Sequence, residues 1–176
     1  MPAISRSTCL LTVIAIVVLV NGASVRSSVA AGNPGAQTKA APGTSEACTL
    51  LTKEIAAAAL GEAVTGPKST AIPSGASGPG SGAASSCEYT GSGLHTVHLN
   101  VMHFDAATAA MYKQRCAQKT KDGLTGLGEV ACWYNPKHEE LQVLKGTTFL
   151  SLQMRRAGDP TEAIKGAAKK IYDSLK

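Results

Sequence analysis

Apolar residues recur along the chain at two different periods, and the switch between them marks the elements. In "LHTVHLNVMHF", Val97, Leu99 and Val101 fall on one side and Thr96, His98 and Asn100 on the other. That two-residue alternation predicts a strand with one buried and one wetter face. The same period runs through "GLGEVACWYNPKHEELQVLKGTTFLSLQM", where Val130, Cys132 and Tyr134 alternate with Glu129, Ala131 and Trp133. Pro136 suits a type I turn, and Leu141 and Val143 mark a second strand. Gly146 turns the chain again, and Thr148, Leu150, Leu152 and Met154 form the inward side of a third strand, completing an antiparallel meander.

Three segments carry the helical period instead, each with a start signal. In "LLTKEIAAAALG", Thr52 caps, Glu54 sits in the positive first turn, Gly61 ends the helix, and Leu51, Ile55 and Ala59 share a face. "FDAATAAMYKQRCAQK" has Asp105 as cap and Ala109, Tyr112 and Cys116 at helical spacing, so Cys116 faces the core. In "GDPTEAIKGAAKKIYDSLK", Asp159 caps, Pro160 fits the first helical position, and Ile164, Ala168, Ile171 and Leu175 form the apolar stripe. These elements predict an α+β fold. An antiparallel β-sheet of about five to six strands packs with three helices in an α/β sandwich braced by disulfides.

Composition divides the chain further. Residues 1–31 have the layout of a secretory signal peptide: basic Arg6, an apolar run from Cys9 or Leu10 to Val20, and small residues before cleavage after Ala30 or Ala31. The run is shorter than the roughly 20 residues of a spanning helix, so stable membrane insertion is not expected. Residues 32–46 are small and polar and read as a flexible leader. Residues 47–176 form a single domain, with a Gly/Ser/Pro-rich stretch at 65–86 that reads as a long mobile loop.

Removal of the leading segment takes Arg6 and Arg26 from 17 basic residues and leaves 12 acidic ones, lowering the formal charge from +5 to +3. That is too mild for a nucleic-acid partner; an anionic envelope surface fits the lysine clusters better. Cys9 also leaves, and Cys48, Cys87, Cys116 and Cys132 remain. Four cysteines in an exported chain read as two disulfides with three possible connectivities. Cys116 on the core side of a helix and Cys132 on the next strand favour sequential pairing, Cys48 with Cys87 and Cys116 with Cys132.

Chemistry is sparse. His95 and His98 point to opposite faces of their strand, and His95 and His103 lie about 26 Å apart on it. Neither pair can share a metal, and no CxxC or HxxxH spacing occurs. The serines form no GxSxG elbow, disulfide bonding removes cysteine nucleophiles, and "GLTGLGE" has the wrong order for a phosphate loop. Catalytic, cofactor-binding and metal residues are therefore not expected, and no cofactor is implied.

The ordered motifs "ACTLLTKEIAAAALGEAV", "CEYT", "GLGEVACWY" and "LQVLKGTTFLSLQM", followed by an amphipathic helix, resemble a family of bacterial secreted proteins and lipoproteins of unknown function. The likeness spans roughly Cys48 to Leu175. It implies an α/β sandwich, similar to PsbP-like domains, and an envelope setting, with no known reaction. This chain has Glu129 where the family pattern has Asp, a cysteine at position 132, and no lipobox. The resulting expectation is an exported, non-enzymatic binding or interaction module in the periplasm or outside the cell. Its partner is an envelope component or another protein, and Trp133, His98 and His138 are candidate binding-surface residues. The alternative is a secreted hydrolase with a site assembled from His98, His138 and Glu139. A purely structural protein would lack a pocket of about 300 Å³ or more.

Overall fold

The computed structural model describes residues 45–73, 81–119, 121, 124–128 and 130–175. The signal-peptide reading, the leader up to residue 44 and residues 74–80 lie outside them. Four helices and six strands follow in the order α1 (Glu46–Leu50), α2 (Lys53–Leu60), β1 (Thr65–Ile72), β2 (Ser81–Thr90), β3 (Thr96–Phe104), α3 (Ala106–Ala117), β4 (Val130–Trp133), β5 (Glu140–Lys145), β6 (Thr148–Arg155) and α4 (Thr161–Ser174). The strands make one antiparallel sheet in the order β1-β2-β3-β6-β5-β4. The expected α+β class is what is found, with the short α1 added to the three anticipated helices.

Local chemistry sets the helix starts. Oxygens of Thr52 and Asp105 accept from the amides of Ile55 and Thr108, satisfying donors that the first helical turn leaves open. Gly61 closes α2 in the left-handed conformation at φ 74°. Asp159 serves α4 one position earlier than expected: its Oδ1 accepts from the Thr161 amide, and Pro160 occupies the cap position. The start of helix α1 reaches into the residues read as leader, since Ser45 caps it and Glu46 is its first residue.

One sheet face carries the core. Val97, Leu99, Val101, Leu141, Val143, Leu150, Leu152 and Met154 meet Leu51 at the end of α1, Ala56 of α2, and Ile164 and Ile171 of α4, all of them buried. Each large side chain so buried contributes about 1.5–3 kcal/mol. A smaller cluster lies on the opposite face, where Ala109 and Tyr112 of α3 pack on Leu144, Phe149, Met102 and Val130. Tyr112 stands edge-on to Phe149 at 4.8 Å between ring centres.

The disulfides are Cys48–Cys87, tying α1 to β2, and Cys116–Cys132, tying α3 to β4. Both follow the sequential pairing. Residues 124–128, the described part of the glycine-rich stretch before β4, form turns and contain no helix, as the motif order suggests. Gly128 has φ 82°, and a β-carbon there would sit 2.6 Å from the Tyr172 hydroxyl. Among the described residues no helix is long and apolar enough to cross a membrane.

The stretch read as a mobile loop is the main correction. Residues 65–72 and 81–90 are strands β1 and β2, paired from Thr65↔Thr90 to Ile72↔Ala84. Backbone hydrogen bonds do not depend on side-chain type, so small residues pair once a neighbour offers an edge. That neighbour is β3, and Cys87 is fixed from below by Cys48. Every residue of β1 is exposed, which removes the alternation by which strands are read.

Candidate functional site

Side chains of the face opposite the core form rungs across the sheet. One rung runs Lys68, Glu88, His98, Gln153 and Glu140, and the next runs Thr70, Ser86, Asn100, Ser151 and Gln142. The apolar contacts of α3 are with the neighbouring rung of Met102, Phe149, Leu144 and Val130. It leaves Ser86, His98, Asn100 and Gln153 half-exposed on a polar shelf.

Where this shelf meets α3 the polar groups are satisfied. Tyr112 donates its hydroxyl to Gln142 Oε1 at 3.1 Å, and Gln142 Nε2 and Ser151 Oγ each donate to Glu140 Oε1 at 2.8 Å. Burial, and then the Glu140 charge, push the Tyr112 hydroxyl well above the usual tyrosine range. The network closes one border of the face, because Gln142 and Ser151 are themselves buried.

The other end is open and contains a cleft of about 530 Å³. Lys68, Glu88, Thr90, Leu94, Thr96 and Arg155 line it, drawn from β1, β2, β3, β6 and the β2–β3 turn. The register explains the gathering, since Thr90 pairs with Thr96 and Thr96 with Arg155. Lys68 and Glu88 are 3.6 Å apart, an exposed contact of little energetic weight.

A polar clamp fixes one cleft wall. Ser92 donates to Glu62, and His95 Nδ1 lies 2.7 Å from the other oxygen of the same carboxylate. His95 Nε2 accepts the Ala157 amide at 3.1 Å, so the ring proton sits on Nδ1 and is donated to Glu62. The Ser92 and His95 bonds hold the Glu62 carboxyl below the usual range. Arg156 adds a tie to the end of α2, donating from Nη1 to the Ala59 carbonyl at 2.8 Å. A serine, a histidine and an acid thus meet, but in the wrong order for a nucleophile. Ser92 bonds the carboxylate, and the imidazole nitrogen that would take its proton already accepts a backbone amide.

Of the three residues expected to form a binding surface, Trp133 and His138 are in contact and His98 lies apart from them. Trp133 is 1 % exposed and sits in the main core, so it belongs to no surface. His138, in the β4–β5 turn, stacks on it at 4.4 Å, and its Nδ1 is 3.2 Å from Thr161 Oγ1. Thr161 Oγ1 gives its own proton to Asp159, so His138 is the donor in that bond. His98 lies on the opposite sheet face, in the Glu88–Gln153 rung. Glu139 is exposed, its backbone bonded to Asn135 and Met154. The hydrolase set of His98, His138 and Glu139 is therefore split by the sheet. Among the described residues no group of three or more His, Cys, Asp or Glu could hold a metal ion.

Sequence reasoning missed Lys68, Thr90, Leu94, Thr96 and Arg155 as a group. Two signals were available: the wet side of β3, and the paired Arg155–Arg156 ending an otherwise apolar strand. The chain matches no family model, no curated protein and no solved structure.

Proposed function

We propose that this domain is an exported binding module, without catalytic activity of its own, that works in the periplasm or outside the cell and holds its ligand on the open sheet face. One observation carries the reading. Half-exposed polar rungs end in a cleft of about 530 Å³, within the 300–1,000 Å³ range of ligand sites. The scaffold beneath is rigid: one face of the same strands is the main core, and both disulfides anchor it. Rigid elements with polar groups on one face suit recognition. Export draws its support from the apolar run after Arg6, from the disulfides and from the likeness to secreted envelope proteins.

A fragment library screened by amide chemical shifts tests the surface. Hits should gather at Thr96, His98, Asn100, Gln153 and Arg155. Hits confined to the helical side of the sheet would sink the reading. N-terminal sequencing of protein recovered outside the cytoplasm tests export. The chain should begin at Ala31 or Gly32, and an intact Met1 in that fraction would refute it.

A further inference from the structure

The cleft has a charge and an apolar rim that narrow the class of ligand. Lys68, Arg155 and Arg156 line it. Glu88 is the one carboxylate among the described lining residues, and it is shared with Lys68. Arg155 is exposed and has no carboxylate within ion-pair distance among the described residues. Arg156 is bonded to the carbonyls of Ala59 and Ala157, neutral acceptors that leave its charge uncompensated. Lys165 and Lys169 each pair with an acid on their own helix, whereas Lys113, Arg115 and Lys119 are, like Arg155, without one among the described residues; what distinguishes the cleft is that Lys68, Arg155 and Arg156 share one concave surface. An excess of positive charge therefore faces one concave surface.

The rim is apolar. Leu94, at the tip of the β2–β3 turn, is 89 % exposed, well beyond Met111 at 55 %, Tyr134 at 54 % and Ile72 at 40 %. A single exposed leucine is ordinary on a surface, but this one stands on the lining of the cationic cleft, where its apolar surface is open to a ligand seated there. The turn beneath it is held: His95 and Ser92 bind Glu62, and a β-carbon on Gly91 would collide with that same carboxylate. Leu94 is thus presented by a fixed loop.

From this arrangement, and resting on the open-face reading above, we infer that the cleft binds an anionic amphiphile. Its headgroup lies between Arg155 and Lys68 and its alkyl chain runs along Leu94. Thr90 and Thr96 supply hydroxyl donors to the headgroup oxygens, and the guanidinium of Arg155 can take two of those oxygens at once. A carboxylate, phosphate or sulfate head with a single chain satisfies all of these groups. A bare anion leaves Leu94 unused, and a zwitterionic head brings a second cation towards Arg155.

The test titrates the isotope-labelled full chain with dodecyl phosphate below its micelle concentration, with inorganic phosphate and with dodecylphosphocholine. Dodecyl phosphate should shift the amides of residues 88–96 and 155–157 in a saturable way and bind at least about 10-fold more tightly than the other two. Arg155→Ala and Leu94→Ser, both at exposed positions and both checked for an unchanged fold by the dispersion of their spectra, should each weaken it by about 10-fold. Phosphatidylglycerol vesicles, with phosphatidylcholine as control, separate the sources. If the two substitutions lower vesicle binding, the amphiphile is taken from a bilayer; if they lower only binding of the monomeric probe, it is taken from solution. Equal binding of inorganic phosphate, or an Arg155→Ala protein that binds as the parent does, would overturn the inference. Shifts confined to His98 and Asn100 would also overturn it while leaving the open-face reading standing, and a fragment screen empty over that face would remove both.

Discussion

Trp133 and His138 lie nearly parallel, ring centres 4.4 Å apart and planes inclined by 18°. The contact covers the outer edge of the core at the β4–β5 turn, and it is kept although His138 has φ 56°, a value side-chain-bearing residues rarely adopt. Backbone strain and ring contact therefore oppose each other at one residue. His138→Ala should lose about 1–2 kcal/mol in urea denaturation, because the stack and the Thr161 bond go while the strain stays. His138→Gly should retain about 1 kcal/mol more than His138→Ala, since glycine tolerates the positive φ. Equal stabilities would mean the conformation is not strained.

Tyr112 sets the alkaline limit. Its folded-state hydroxyl ionises above the ordinary value of 10.0, because the unfolded chain has no burial and no Glu140 beside it. The unfolded state then loses its proton first. Stability is full below about pH 10 and falls as pH rises from there towards the folded value. Urea midpoints measured from about pH 9 to pH 12 should decline, and Tyr112→Phe should flatten the decline.

At the acid end Asp105 behaves with the opposite sign. Its bonds to the amide and hydroxyl of Thr108 hold it below the usual carboxylate range, so its contribution is present above the unfolded value and is lost as pH falls through the folded one. Asp105→Ala should lower the melting temperature at neutral pH. Asp105→Asn, which keeps an accepting oxygen, should lower it less and weaken its dependence on pH near the acid limb.

The two disulfides should differ in weight. Cys48–Cys87 closes 39 residues and Cys116–Cys132 closes 16. By the chain-entropy relation these correspond to about 4 and about 3 kcal/mol. Double alanine variants compared by urea denaturation should keep that order. A larger loss from the shorter loop would show that native packing, and not the unfolded chain, governs the bridges.

Gly128→Ala should destabilise the protein, since the new β-carbon meets Tyr172 and the backbone there has φ 82°. Tyr172→Ala, measured alone and combined with it, tests the cause. The hydroxyl and two ring carbons lie 2.6–2.8 Å from the added carbon, so a smaller cost of Gly128→Ala in the Tyr172→Ala background assigns the loss to contact, and an unchanged cost assigns it to backbone strain.

Much of the fold was legible because its signals are local. Thr52, Gly61 and Asp105 act on amides and carbonyls within one turn, and the alternation in β3 reflects burial on one side of a pleat, while β5 and β6, buried on both sides at their centres, still carry their aliphatic residues on the main-core side. The short α1 escaped notice because five residues give no periodicity. The "SSCEYT" stretch around Cys87 reads as a strand and is the second half of β2; β1 and the first half of β2 escaped because β1 is exposed throughout and residues 81–84 are only Ser, Gly and Ala, so neither carries the apolar contrast that marks a buried face. Trp133 was read to the right side of its strand, opposite Cys132, but whether another layer covered that side was not a local property.

The chain by itself determined the starts of α2 and α3 and the core-facing sides of β3, β5 and β6, because each rests on groups close in sequence or on a strict period, and it favoured the sequential pairing of the four cysteines. The tertiary structure alone decided that β1 joins the sheet at all, that Trp133 is covered, that His98 and His138 are divided by the sheet, and that Lys68, Leu94 and Arg155 share one cleft. These depend on register between strands distant in sequence. Such register follows from backbone pairing and the burial of the whole opposite face, and no short stretch of sequence contains either.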